Sequence, residues 1–275
     1  MTDADRSQFI GGTDAAAIAG LSPWTTPMDV WMEKTGRMVN VLDNEIMYWG
    51  REIEPIIANR YAADTGRDLR DSEPLSHVFY PWAGGHPDRL IYPDQGILEI
   101  KTAGLHMRNH WGDAPYGDVP QQYYIQVQWY MWLTGFQWAD IAVLIGGQDY
   151  RVYYVPRNDS VIDRLVNICG DFWENNVLKD IPPELDAKAG TKKYLASIQR
   201  DTDTIGSTAM AEDWARNYRI AKGRAEHWKQ EVELAKHNLI REIGSHKTME
   251  SPNWKATVSN RKDGVMIFKF TDRED

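Results

Sequence analysis

The run Gly96-Ile97-Leu98-Glu99-Ile100-Lys101-Thr102 sets an acid and a base two residues apart inside an otherwise apolar stretch. Alternate residues of a strand face the same way, so Glu99 and Lys101 share one face while Leu98 and Ile100 share the other. A lone charge in such a strand is expensive to bury, and the fold must therefore bring polar partners to Glu99. Ten residues separate Glu99 from Asp88 of Gly85-His86-Pro87-Asp88, and Pro93-Asp94-Gln95-Gly96 is a turn between two short strands. That hairpin sets Asp88 beside Glu99. Two carboxylates and the Ile100 carbonyl make a hard, oxygen-only pocket of the kind Mg²⁺ prefers. A lysine beside such a cation has its pKa pushed down and can orient or deprotonate a water, which is the equipment for phosphodiester hydrolysis.

Around this hairpin the punctuation predicts helices, a small mixed sheet, a helix, more strands and a helix. Ile10-Gly11-Gly12-Thr13-Asp14 reads as a glycine turn feeding a short helix with Thr13 or Asp14 as its cap, and Thr26-Pro27 opens a second helix closed by Gly36. From about Asn44 to Gly66, Ile46, Trp49, Ile53, Ile57 and Tyr61 recur at helical spacing. His77 to Lys101 reads as three strands of one sheet, 119–135 as a helix, IAVLIGG and YRVYYV as two further strands, and 161–175 as a helix. This is a three-layer α/β or α+β domain over 1–186. A polar linker is expected over 187–206. In the extension 207–275, Tyr218, Ala221, Ala225, Trp228, Val232, Ala235 and Leu239 alternate spacings of three and four, a coiled-coil-like seam on a helix of about 35 residues. A terminal hairpin follows it.

Composition narrows the chemistry. The chain has 275 residues, a formal charge of −9 and 42% hydrophobic residues, as ordinary globular proteins do. Its one cysteine, Cys169, excludes an intramolecular disulfide, a Cys-based zinc site and a four-cysteine iron–sulfur cluster, so any metal sits on oxygen or nitrogen. Acidity argues at first against a nucleic-acid partner. The charge is uneven, however: residues 1–186 sum to −13 and 187–275 to +4, and a site that holds cations counts as acidic before they are added. No apolar run approaches the ~18 residues of a membrane span, and MTDADRSQFI lacks a basic end followed by an apolar stretch. The expected location is the cytoplasm, that of the host cell if the chain is phage-encoded.

Two helical features complete the pattern. Gly50-Arg51-Glu52-Ile53-Glu54 places Glu54 on the third helix, and Gln126 with Tyr130 stands one turn apart on the helix after the sheet. Glu54, Asp88, Glu99, Lys101 and Gln126 in this order reproduce the motif set of the PD-(D/E)xK nucleases. Over residues 6 to about 185 the chain resembles the lambda-type 5′→3′ exonucleases, particularly the YqaJ-like viral recombinases, through IGGTDAAAIAGLSPWTTPMDVWMEKTG, YWGREIEP, GHPD, LEIKT and QVQWYMWLTG. The resemblance implies a restriction-endonuclease-like core, a mixed central sheet flanked by helices, extended here by a long helix and a hairpin. It implies that Asp88, Glu99 and the Ile100 carbonyl hold Mg²⁺, with Mn²⁺ substituting. Lys101 serves the attacking water, and Glu54 and Gln126 complete the metal and water network. It further implies that Arg6 and Thr13, seven apart, grip a 5′-terminal phosphate. His86 stands where the family carries a hydroxyl residue for the same phosphate.

The expected activity is an Mg²⁺-dependent exonuclease that enters duplex DNA at an end and leaves 3′ overhangs for phage-type recombination. A RecB-like single-strand nuclease, an endonuclease of the same superfamily and a non-catalytic DNA-end scaffold are the alternatives. By resemblance the chain forms a trimer, and its long helix either packs on the nuclease domain or a sister subunit or docks a partner such as a single-strand annealing protein. His106 and His110 are one turn apart but lack a third ligand, and fit a loop near DNA better than a metal site.

Overall fold

The computed structural model describes residues 6–38 and 44–273, which fall into two compact units divided between Gln199 and Arg200. The first begins with α1 (Gly12–Ile18), α2 (Pro27–Lys34) and α3 (Glu45–Thr65). Gly11, not Thr13 or Asp14, caps α1; Asp14 lies one turn in and its carboxylate accepts the Gly11 N–H at 2.9 Å. Thr26 and Asp29 form a reciprocal capping box at α2 with Pro27 in the first turn, and Asn44 caps α3 through the Met47 N–H at 3.0 Å. Gly66 ends α3 at φ 70, a left-handed conformation open to glycine.

Then come β1 (Asp68–Asp71), β2 (Leu75–Ser76), β3 (Gly84–Gly85), β4 (Arg89–Tyr92) and β5 (Gly96–Ala103), a 3-10 turn (Leu105–His110), α4 (Gln121–Thr134), β6 (Trp138–Ile145), β7 (Asp149–Pro156) and α5 (Asp159–Phe172). The central sheet has the order β1-β4-β5-β6-β7 and is antiparallel except between β5 and β6, which α4 connects as a crossover. The mixed sheet with helices on both faces was expected. The composition of its first half was not: β1 adds an edge strand of four residues, while Val78 and Phe79 lie exposed in a bend, and only the short β2–β3 pair accompanies them.

Each face of the sheet buries its own core. Ile97, Ile141, Val143 and Tyr153 pack with α1, α2, α4 and α5; Leu98, Ile100, Ile91 and Ala142 pack with Ile57, Ala58 and Tyr61 of α3. The alternation along β5 thus turns Glu99 and Lys101 toward the α4 side. α3 packs on the core of the sheet only from Ile53 onward, so Ile46 and Trp49 of the helical stripe remain exposed.

The expected linker is in part structured. α6 (Ala189–Ser197) packs on α2, with Tyr194 edge-on to Trp31 at 5.4 Å and Lys193 paired to Asp29 at 2.9 Å. The approach is so close that a Cβ on Gly190 would meet Thr26 Oγ1. In the second unit, α7 (Ala209–Ile243) is capped by Thr208, and β8 (Thr248–Glu250), β9 (Trp254–Asn260) and β10 (Met266–Asp272) form an antiparallel sheet of order β10-β9-β8. Among the described residues no helix is long and apolar enough to cross a membrane.

Candidate active site

β4 and β5 pair with Arg89 opposite Leu98, so Asp88, one residue before β4, stands opposite Glu99 on the same face. Because β4 ends there, the Ile100 N–H has no strand partner on that edge, and Asp88 Oδ2 accepts it at 2.6 Å. A residue's carbonyl points to the same edge as its N–H, so the Ile100 carbonyl also faces this gap.

Glu99 is 1% exposed. Its Oε1 accepts from Lys101 Nζ at 2.5 Å and from Gln126 Nε2 at 2.7 Å. Its Oε2, equally buried, makes no hydrogen bond among the described residues. Burial and the facing Asp88 charge hold the Glu99 carboxyl well above the usual carboxylate range, and burial raises Asp88 as well. Lys101 is held protonated by the Glu99 and Asp88 charges, which outweigh its desolvation, and its ammonium lies 5.0 Å from the Tyr123 ring centroid. Two carboxyl groups against one ammonium cannot both ionise without an excess of buried negative charge, which Glu99 relieves by keeping its proton, and one oxygen stays unmatched. An all-oxygen donor set in that condition fits a hard divalent cation.

Gln126 is fixed in turn by Tyr130, whose hydroxyl accepts from Nε2 at 3.1 Å. The Tyr130 ring lies against two glycines: a Cβ on Gly85 would come 2.7 Å from Cε1, and one on Gly12 would come 3.0 Å from it. Gly12 and Gly85 therefore serve the site by letting α4 approach.

The remaining candidates are placed differently. Glu54 is drawn to Arg89 Nη1 at 2.8 Å, and Arg89 Nε reaches Asp71 at 3.1 Å. Glu54 therefore acts on Asp88 and Glu99 through its charge, and among the described residues no group of three His, Cys, Asp or Glu side chains gathers as a metal cluster. The histidine pair His106 and His110 is exposed on the 3-10 turn. His86 is exposed and its Nε2 lies 2.7 Å from the Ser72 carbonyl, which fixes the proton on Nε2 because a carbonyl only accepts. Thr13 is exposed on the first turn of α1, but Asp14 already holds the Gly11 N–H, so the expected backbone cradle for an anion is partly occupied by the protein's own carboxylate. Arg6 is exposed, its charge reaches Tyr130, and its carbonyl accepts from Lys34 Nζ at 2.8 Å. Lys34 went unnoticed in the sequence. Its fully buried ammonium pairs with Asp14 at 2.7 Å and ties the Arg6 backbone to α1 and α2.

The pattern of the YqaJ-like viral recombinase domain matches residues 3–137. A Bacillus subtilis (strain 168) relative, "Uncharacterized protein YqaJ", is 30% identical over 274 positions, which cover 94% of this chain and 84% of the relative. The chain belongs to the YqaJ-like viral recombinase family. Among solved structures this YqaJ-like chain shares its fold with the alkaline exonuclease LHK-Exo from Laribacter hongkongensis, at a TM-score of 0.51 and 20% identity over 65% of this chain and 92% of that one. The structure of LHK-Exo in complex with dAMP matches at the same TM-score with 19% identity.

Proposed function

We propose that this YqaJ-like chain is a nuclease, specifically an Mg²⁺-dependent exonuclease that degrades linear duplex DNA 5′→3′ and leaves 3′ overhangs for homologous recombination. The observation that carries this reading is the buried, unmatched Glu99 oxygen between Asp88 and Lys101, in a chain of a viral recombinase family. The exonuclease fold and the dAMP bound by LHK-Exo support it by analogy. Asp88, Glu99 and the Ile100 carbonyl would hold the divalent cation, which supplies Lewis-acid polarisation of the phosphate and neutralises charge at the leaving oxygen.

The protein's own residues do the rest. Gln126, braced by Tyr130, keeps Glu99 Oε1 turned toward Lys101. The Lys101 ammonium, now donated to Glu99, is freed in part once the carboxylate charge is matched, and it then holds and orients the attacking water. Arg6 and Thr13 take the 5′-phosphate of the DNA end, with His86 as a further donor through Nδ1 when the phosphate draws it into the imidazolium form, Nε2 staying on the Ser72 carbonyl. The partner is thus the end of a duplex, with trimeric assembly and a single-strand annealing protein as the companions this reading expects.

Linear duplex labelled at either end, with and without a 5′-phosphate, tests this beside a closed circle. With Mg²⁺ the 5′ label is released first, faster with the phosphate, and the circle stays intact; chelation stops release. Asp88→Asn and Lys101→Ala each lower the rate about a thousandfold, some 4 kcal/mol of barrier, without loss of helical circular dichroism. Early release from the 3′ end, or cutting of the circle, overturns the polarity.

A further inference from the structure

α7 is 35 residues and therefore about 50 Å long, yet its apolar stripe lies open. Trp214 is 69% exposed, Tyr218 67%, Trp228 65% and Val232 64%. Positions 214, 218, 221, 225, 228, 232, 235 and 239 follow the strict four–three alternation that places every member on one seam of a left-handed coiled coil. That period calls for another helix. The order of sizes along the seam, Trp, Tyr, Ala, Ala, Trp, Val, Ala, Leu, says which one.

In a parallel pair of identical helices each layer joins a residue to itself, so Trp meets Trp and Ala meets Ala, crowding some layers and emptying others. Run antiparallel about a centre between Ala225 and Trp228, the same seam pairs Trp214 with Leu239, Tyr218 with Ala235, Ala221 with Val232 and Ala225 with Trp228. Every large side chain outside the terminal Trp214–Leu239 layer then faces an alanine. The flanks agree on one side, where Arg224 meets Glu231 twice by symmetry. On the other, Lys222 and Lys229 face one another with Glu233 and Glu226 alongside. We propose that α7 is a self-recognition element that pairs antiparallel with α7 of a second copy of this chain.

The full-length protein carries the test, since its single native thiol, Cys169, is buried. An equimolar mixture of the Ala221→Cys and Val232→Cys variants forms a disulfide-linked pair on oxidation, and neither variant does so alone, because each residue's own copy lies about 16 Å away along the axis. Trp228→Glu lowers the mass measured by light scattering, by half where the α7 pair alone joins two otherwise separate chains or assemblies. The swap Ala225→Trp with Trp228→Ala, which exchanges the two members of one layer, restores the wild-type mass, whereas Trp228→Ala alone does not. Cross-linking of either cysteine variant with itself overturns the antiparallel register. An unchanged mass for Trp228→Glu with no cross-link in the mixture overturns self-pairing and leaves the seam to a helix of a different protein.

Discussion

In the first unit Glu99 is 1% exposed and the Lys34 ammonium is fully buried, while in the second unit Trp214 and Trp228 stand 69% and 65% exposed on a helix that buries only Ile243. One unit takes charge out of water and the other leaves aromatic surface in it. Both arrangements oppose what a chain folding only for its own stability would do. The first unit has the larger core and can bear a local penalty, so that is where the strained charge sits. The second has little core of its own, and its exposed stripe has a regular period rather than a scatter. A misplaced charge therefore marks chemistry here, and a misplaced apolar stripe marks association.

The largest effects come from contrasting two buried charges that differ in how well they are matched. Lys34 is surrounded by Asp14, Glu33 and the Arg6 carbonyl. Lys34→Met leaves Asp14 buried without its cation and lowers stability by about 3 kcal/mol, read from denaturant unfolding. Glu99 is the opposite case. Glu99→Gln removes the excess charge beside Asp88, so in the absence of divalent ions it raises stability by about 1 kcal/mol while abolishing cleavage. The pH dependence has a definite sign. Because the folded Glu99 carboxyl sits above its unfolded value, the folded state keeps a proton that the unfolded chain releases, and cation-free stability falls as pH rises out of the ordinary carboxylate range through the folded value. Added Mg²⁺ opposes that fall in the wild type and not in Glu99→Gln. Equal slopes for the two proteins would show that Glu99 is not the group responsible.

Of intermediate size is the close packing that lets the first unit hold its charges at all. Gly85→Ala drives a methyl against Tyr130 and Leu133 and costs about 1–3 kcal/mol, with lower cleavage than the stability loss alone explains, because the Gln126 support moves with Tyr130. Thermal unfolding compared with activity at a temperature where both proteins are folded separates the two effects.

What could be read from the chain follows the same division. The facing of Asp88 and Glu99 was legible because a two-residue period and one turn suffice to place them, and the family motifs added Gln126 and Tyr130. β1 was not, since Asp68-Leu69-Arg70-Asp71 is a polar edge strand whose apolar content is one leucine. Segment 187–206 reads as a linker because Lys192 and Lys193 mask the helix in its first half, which binds through Gly190, Lys193 and Tyr194. The periodicity of Ile46 and Trp49 fixed a helix correctly but could not say that it packs on the sheet only from Ile53 onward. Lys34 and Asp14 were hidden because a buried pair between consecutive helices leaves no spacing signature.

The smallest effect tests the other half of the contrast. An exposed aromatic makes few contacts within its own chain, so replacing one should hardly alter unfolding. Trp214→Gln, at the open end of the α7 seam, is expected to shift single-chain stability by no more than about 0.5 kcal/mol when measured at protein concentrations low enough to dissociate any assembly. At higher concentration the wild type gains stability from self-association and the variant gains less, so the two unfolding curves separate as concentration rises. A large shift already present at the lowest concentration would mean that Trp214 is held within one chain, and the second unit would then resemble the first in satisfying its own costly groups.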